Sequence, residues 1–140
     1  MKGKKYIVTS DRFKGEVIYE YNLNGYLLNF SINISNTQMK IAKFFYTHLP
    51  YTLDMMQEWL KVAVSFKVEE VPADLSFDRF WEEYGKHGTK SMAMKKYEKL
   101  KPMEQLAALL HLPKERDKKK LDGTAMPYAE TYINQKRWEE

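Results

Sequence analysis

Between Lys86 and Lys101 the chain carries six lysines and a single acid, Glu98. Lys95, Lys96 and Lys99 stand at spacings that a helix gathers on one face beside Met92, and Lys90 precedes them in the same segment. Lysine heads must reach water or an anion wherever such a helix packs, so this face either is solvated or contacts phosphate. Lys118, Lys119 and Lys120 offer a second electrostatic contact within the mixed run Lys114–Lys120, whose plainer reading is a solvated loop. Lys136-Arg137-Trp138 is a third candidate. The arginine fork suits phosphate or carboxylate, and Trp138 anchors either its own helix or a partner protein.

Enzyme chemistry finds little support in the sequence. His48, His87 and His111 are far apart, each expected beside a helix end, and no His-x-x-x-His or Asp-x-Asp spacing suggests a metal site. Gly85-Lys86-His87-Gly88-Thr89-Lys90 lacks the spacing and the preceding strand of a nucleotide loop. The pairs Glu69-Glu70 and Glu82-Glu83 have no evident catalytic partner. A binding protein with no catalytic residues, metal or cofactor is expected.

The elements that must position the lysines are helical. Phe77, Phe80, Trp81 and Tyr84 fall at i, i+3, i+4 and i+7, a stripe that can stack bases if exposed but whose periodicity argues for core. After a break at His87-Gly88, the positions of Ala93, Tyr97 and Leu100 repeat the helical pattern. Pro102 suits the first turn of a further helix that buries Met103, Leu106, Ala107 and Leu110 and that Pro113 closes. A last helix starts at Pro127, with Ala129, Tyr132, Ile133 and Lys136 on one side.

The first half reads differently. Tyr6-Ile7-Val8 is a short β-prone segment, followed by a connection from Asp11 to Gly15. Residues 16–21 and 26–34 form strands of a hairpin about Asn22-Leu23-Asn24-Gly25, with Leu28, Phe30, Ile32 and Ile34 on one face. Ser35, Asn36 and Thr37 offer caps for a helix carrying Met39, Ile41, Ala42, Phe44 and Phe45 to about His48, which Pro50 ends. Thr52 caps a second helix through Leu53, Met56, Leu60 and Ala63, while Val62, Val64, Phe66 and Val68 alternate as a strand would. Glu69–Asp74 reads as a hinge. The expected fold is α+β: a lobe at 1–72 with a β-hairpin and two helices, then an all-helical lobe at 73–140.

The 140 residues hold 44 % hydrophobic and 14 % aromatic side chains, enough for a folded protein. With 23 basic and 19 acidic residues the net charge is +4, a mild bias toward acidic partners. The absence of cysteine excludes a disulfide framework and fits a reducing compartment. No apolar run reaches the length of a signal peptide or membrane span, so a cytoplasmic location is expected, that of the host if the protein is viral.

The second half resembles the helical C-terminal region of phage replication initiator, replisome-organiser and helicase-loader-type proteins. Three blocks carry the resemblance over residues 74–140: Phe77, Phe80, Trp81 and Tyr84; then Lys90, Ala93, Tyr97 and Leu100; then Pro127 with Thr131-Tyr132-Ile133-Asn134-Gln135-Lys136-Arg137-Trp138. It implies association with replication machinery rather than a reaction. The expectation is a phage-type replication accessory protein that binds DNA, without sequence preference, or a replication or helicase protein. Lys90, Lys95, Lys96, Lys99, Lys118, Lys119, Lys120, Lys136 and Arg137 are its candidate nucleic-acid contacts and Trp138 its partner contact. The alternative is a virion assembly component or protein adaptor that binds no nucleic acid, with inhibition of a host system as a further possibility.

Overall fold

Alternating β-branched and aromatic residues build the first half, and aromatic stripes at helical spacing build the second. The computed structural model describes residues 1–35 and 39–140, with the backbone alone at Met39. The fold is α+β, and the chain divides into two units, Met1–Ala73 and Asp74–Glu140.

In the first unit, β1 (Lys2–Ser10), β2 (Phe13–Asn22), β3 (Leu27–Ser35) and β4 (Lys67–Val71) form an antiparallel sheet of order β3-β2-β1-β4. α1 (Met39–Thr47) and α2 (Leu53–Val62) cover one sheet face. Tyr6, Val8, Phe13, Val17, Tyr19 and Tyr21 point from that face into a core with Phe45, Met56 and Trp59. The β2–β3 turn is closed at Asn22, whose side chain accepts from Tyr26 N at 3.0 Å and whose carbonyl accepts from Gly25 N at 3.0 Å. Thr52 caps α2, its hydroxyl accepting from Met55 N at 3.1 Å. Of the cap expected at Ser35, Asn36 and Thr37, the last two lie outside the described residues.

Four expectations for this unit are corrected. β1 is far longer than Tyr6–Val8, because pairing with β2 extends it back to Lys2 and β4 pairs with it on the other side from Lys5 to Thr9. The connection at Asp11–Gly15 shrinks to a two-residue turn, since Phe13–Gly15 already belong to β2. Leu28 does not share the face of Phe30, Ile32 and Ile34: an irregularity after Glu20 pairs Leu27 with Tyr21, and Leu28 is left 52 % exposed. Glu69, Glu70 and Val71 form no hinge, being strand residues paired with Ile7, Tyr6 and Lys5.

The second unit holds α3 (Phe77–Tyr84), α4 (Lys90–Glu98), α5 (Pro102–Asp122), α6 (Ala129–Asn134) and a short 3₁₀ turn at Arg137–Glu139. Pro113 does not close α5. A proline inside a helix withdraws one N–H and crowds the carbonyl four residues back, here that of Leu109, at a cost of about 3 kcal/mol. Pro113 itself is exposed, while Leu109 and Leu112 just before it are fully buried, and their burial holds the helix through the break. Lys114–Lys120 are therefore helical, not a loop, and His111 sits inside α5 rather than at an end. The last helix stops at Asn134, and Lys136, with φ 44°, is off its face. Among the described residues no helix is long and apolar enough to cross a membrane.

Candidate functional site

The aromatic stripe of α3 is core. Phe77, Phe80, Trp81 and Tyr84 are all buried, and Phe80 stacks on Tyr97 of α4 at 4.8 Å between ring centres. These rings cannot stack on bases. Three phenol hydroxyls tie the helices to distant backbone: Tyr84 donates to Pro127 O at 2.5 Å, Tyr97 to Leu75 O at 2.7 Å and Tyr132 to Ala108 O at 2.7 Å. Burial pushes all three phenols above their ordinary range.

α4 is oriented through its first residues. Gly85 ends α3 in the left-handed region, and after it the backbone reaches a carboxylate on α6. Thr89 N donates to both oxygens of Glu130, at 3.1 and 2.8 Å, and Ala129 N donates to His87 O at 2.8 Å. Glu130 is 8 % exposed and takes up the N–H of the N-cap residue itself, one of the orphan donors at the helix start, while the Thr89 side chain makes no capping bond. Gly88 makes this approach possible. Its φ is 127°, and a Cβ there would lie 2.4 Å from Glu130 Oε1 and 2.9 Å from Ala129 N.

With Ala93 and Tyr97 fully buried, α4 turns Lys90, Lys95 and Lys99 outward. Lys96 is half-buried and donates to Asn134 Oδ1 at 3.0 Å, fastening α4 to the end of α6. Among the described residues, no acidic side chain comes within 4.0 Å of any of the four amines.

The other candidates divide. Lys118 pairs with Glu140 at 3.4 Å and Lys136 with Glu104 at 3.0 Å, an acid whose carboxyl hydrogen bonds from Lys136 and Lys101 N hold low. Arg137 turns inward, its Nε 3.5 Å from Oε1 of Glu115, a carboxylate only 1 % exposed that also meets His111 Nε2 at 3.4 Å. Trp138 packs on Tyr132 at 5.6 Å, as a helix anchor does. Lys119 and Lys120 instead line a cleft of about 410 Å³ with Arg116, Gly123, Thr124 and Met126. Arg116 escaped the sequence reading, as did the buried acids Glu115 and Glu130. The signal for Arg116 was present: positions 116, 119, 120 and 123 stand at i, i+3, i+4 and i+7, a pattern hidden by ending the helix at Pro113.

Residues 72–136 match the family described as the Legionella vir region protein LvrA C-terminal domain. The LvrA match takes in α3 to α6, hence the α4 lysines, the α5 cleft and the Glu130 capping contact. No curated protein and no solved structure matches the chain. The first unit carries a separate feature, a mostly apolar groove of about 540 Å³ bounded by His48, Pro50, Asp54, Met55, Trp59 and Val62. Among the described residues no group of three or more His, Asp or Glu side chains stands close enough to share a metal ion.

Proposed function

We propose that the protein is a phage-type DNA-replication accessory protein of the cytoplasm, without enzymatic activity, whose helical unit contacts nucleic-acid phosphates through the outer face of α4. One observation carries the reading: Lys90, Lys95 and Lys99 are exposed and have no acid within ion-pair distance among the described residues, whereas Lys118, Lys136 and Arg137 are each neutralised. The resemblance of residues 74–140 to the C-terminal region of phage replication proteins supports the context. Phosphate contact by lysine point charges implies little sequence preference and a steep salt dependence, with a log–log slope of about −0.9 per neutralised phosphate on duplex DNA. An acidic face on a replication or helicase protein is the corresponding protein partner.

Fluorescence anisotropy with labelled single- and double-stranded DNA, at low and near-physiological salt, tests this. The Lys90→Glu, Lys95→Glu, Lys99→Glu triple variant should lose binding with its circular dichroism unchanged; Lys96 is spared because it holds Asn134. Binding by the variant equal to that of the parent would remove α4 from the interface.

A second reading, an assembly component or adaptor that binds no nucleic acid, is favoured by the first unit. Its apolar groove adjoins Val62, 75 % exposed, and the same unit leaves Tyr46, Tyr51 and Val64 largely exposed. A defined oligomer with no DNA affinity at low salt would select it.

A further inference from the structure

The α5 cleft differs from the α4 face in shape. Arg116, Lys119 and Lys120 lie within four residues on one side of a helix, so their stems leave the axis within about 6 Å of one another. All three line one concavity of about 410 Å³, and Gly123 and Thr124 bound it where the chain leaves the helix. Gly123 has φ 72°, which ends α5 and lets the chain turn beside the cations. Met126 adds an apolar wall.

Convergence of three cations raises the question of what neutralises them. Lys118, next in sequence, is occupied by Glu140, but no ion pair within 4.0 Å involves Arg116, Lys119 or Lys120 among the described residues. Asp122 accepts from Thr124 N at 2.9 Å and from the Thr124 hydroxyl, and its carboxylate is near enough to Lys119 and Lys118 to offset part of their charge. Arg116 uses one N–H on Glu83 O, and a guanidinium has four more. The C-terminal end of a helix carries about half a negative charge, and three full positive charges outweigh this and the Asp122 carboxylate together.

We propose that this cleft binds a phosphate monoester, either the terminal phosphate of a nucleic-acid strand or that of a free nucleotide. A monoester brings −1.5 to −2 charges to one phosphorus, whereas each backbone diester brings one, and three cations on one open concavity suit the former. The volume leaves space for the group that carries the phosphate, with Met126 as its apolar contact. The proposal rests on the nucleic-acid reading only for the strand as carrier; recognition of the dianion rests on the cleft.

Calorimetric titration of the full chain with adenosine monophosphate and with adenosine, and anisotropy with one oligonucleotide bearing either a terminal phosphate or a terminal hydroxyl, test it. The phosphorylated oligonucleotide should bind about tenfold tighter, and the monophosphate should bind where adenosine does not. Lys119→Gln with Lys120→Gln should abolish both differences, while the α4 triple variant should keep monophosphate binding. Arg116 is left intact because it holds Glu83. Monophosphate binding without oligonucleotide binding would support the cleft and overturn the nucleic-acid reading. Equal affinity for both oligonucleotide ends, with no heat from the monophosphate, would overturn the cleft and leave that reading standing. Differences that persist in the Lys119 and Lys120 variant would overturn the cleft as their source.

Discussion

At the scale of single residues, the second unit depends on groups that carry no signature in the sequence. Gly88 is one: only a residue without Cβ fits between the backbone and Glu130 at that φ. Gly88→Ala should destabilise the protein by about 2–3 kcal/mol in urea unfolding and move α4 away from its capping carboxylate. Asp74 is another. Hydrogen bonds from Ser76, whose N donates to Asp74 Oδ1 at 2.9 Å, hold its carboxyl below the ordinary value of 3.8. A depressed carboxyl contributes stability that is present above the unfolded-state value and lost as pH falls through the folded-state value. The thermal midpoint of Asp74→Asn should accordingly fall less than that of the parent as the medium is acidified below about pH 4. Equal falls would mean that the Ser76 bonds do not favour the charged form.

At the scale of elements, legibility in the sequence followed how local the cause was. The β2–β3 hairpin could be read because Asn24-Gly25 and the flanking alternation lie within one short stretch. The α3 stripe was equally plain, its four aromatic positions all becoming core. What failed depended on distant partners. The lysine-rich start of β1 becomes strand only because β2 pairs with it, joined by β4 from Lys5, and Leu28 leaves the core face through an irregularity that no residue type announces. In α5, proline was given its local meaning, and the burial of Leu109 and Leu112 overrode it. That one override hides the helical register that sets Arg116 beside Lys119 and Lys120, which charge alone makes candidates, whereas the grouping of the α4 lysines needs only helical spacing. The pairing of Arg137 is equally illegible, since its partner Glu115 lies more than twenty residues earlier. Pro113→Ala should restore the missing donor to Leu109 O. A gain of about 2 kcal/mol is expected, the helix penalty less the proline's constraint on the unfolded chain, with increased helical ellipticity. A loss of stability would mean that the proline shapes α5 to its neighbours.

At the scale of the molecule, each unit owns a core. The first is built on Tyr19, Phe45 and Trp59, the second on Phe80, Tyr97, Leu109 and Tyr132. The hydrogen bonds described above for α4 and the residues that line the α5 cleft lie within 74–140, a length at which small domains fold alone. Expressed by themselves, residues 74–140 should give a helical, cooperatively unfolding protein that retains the salt-sensitive DNA binding proposed for the full chain. A folded fragment without that binding would move the interface to the first unit.

The placing of the three tryptophans has a spectroscopic consequence. Trp59 lies parallel to Phe66 in the first unit at 6.2 Å, while Trp81 and Trp138 belong to the second, against Phe77 and Tyr132. Each unit thus contains its own intrinsic fluorophore. Trp59→Phe restricts indole emission to the helical unit, and Trp81→Phe with Trp138→Phe restricts it to the sheet unit. Denaturation curves of the two proteins then resolve the melting of each half without any attached dye.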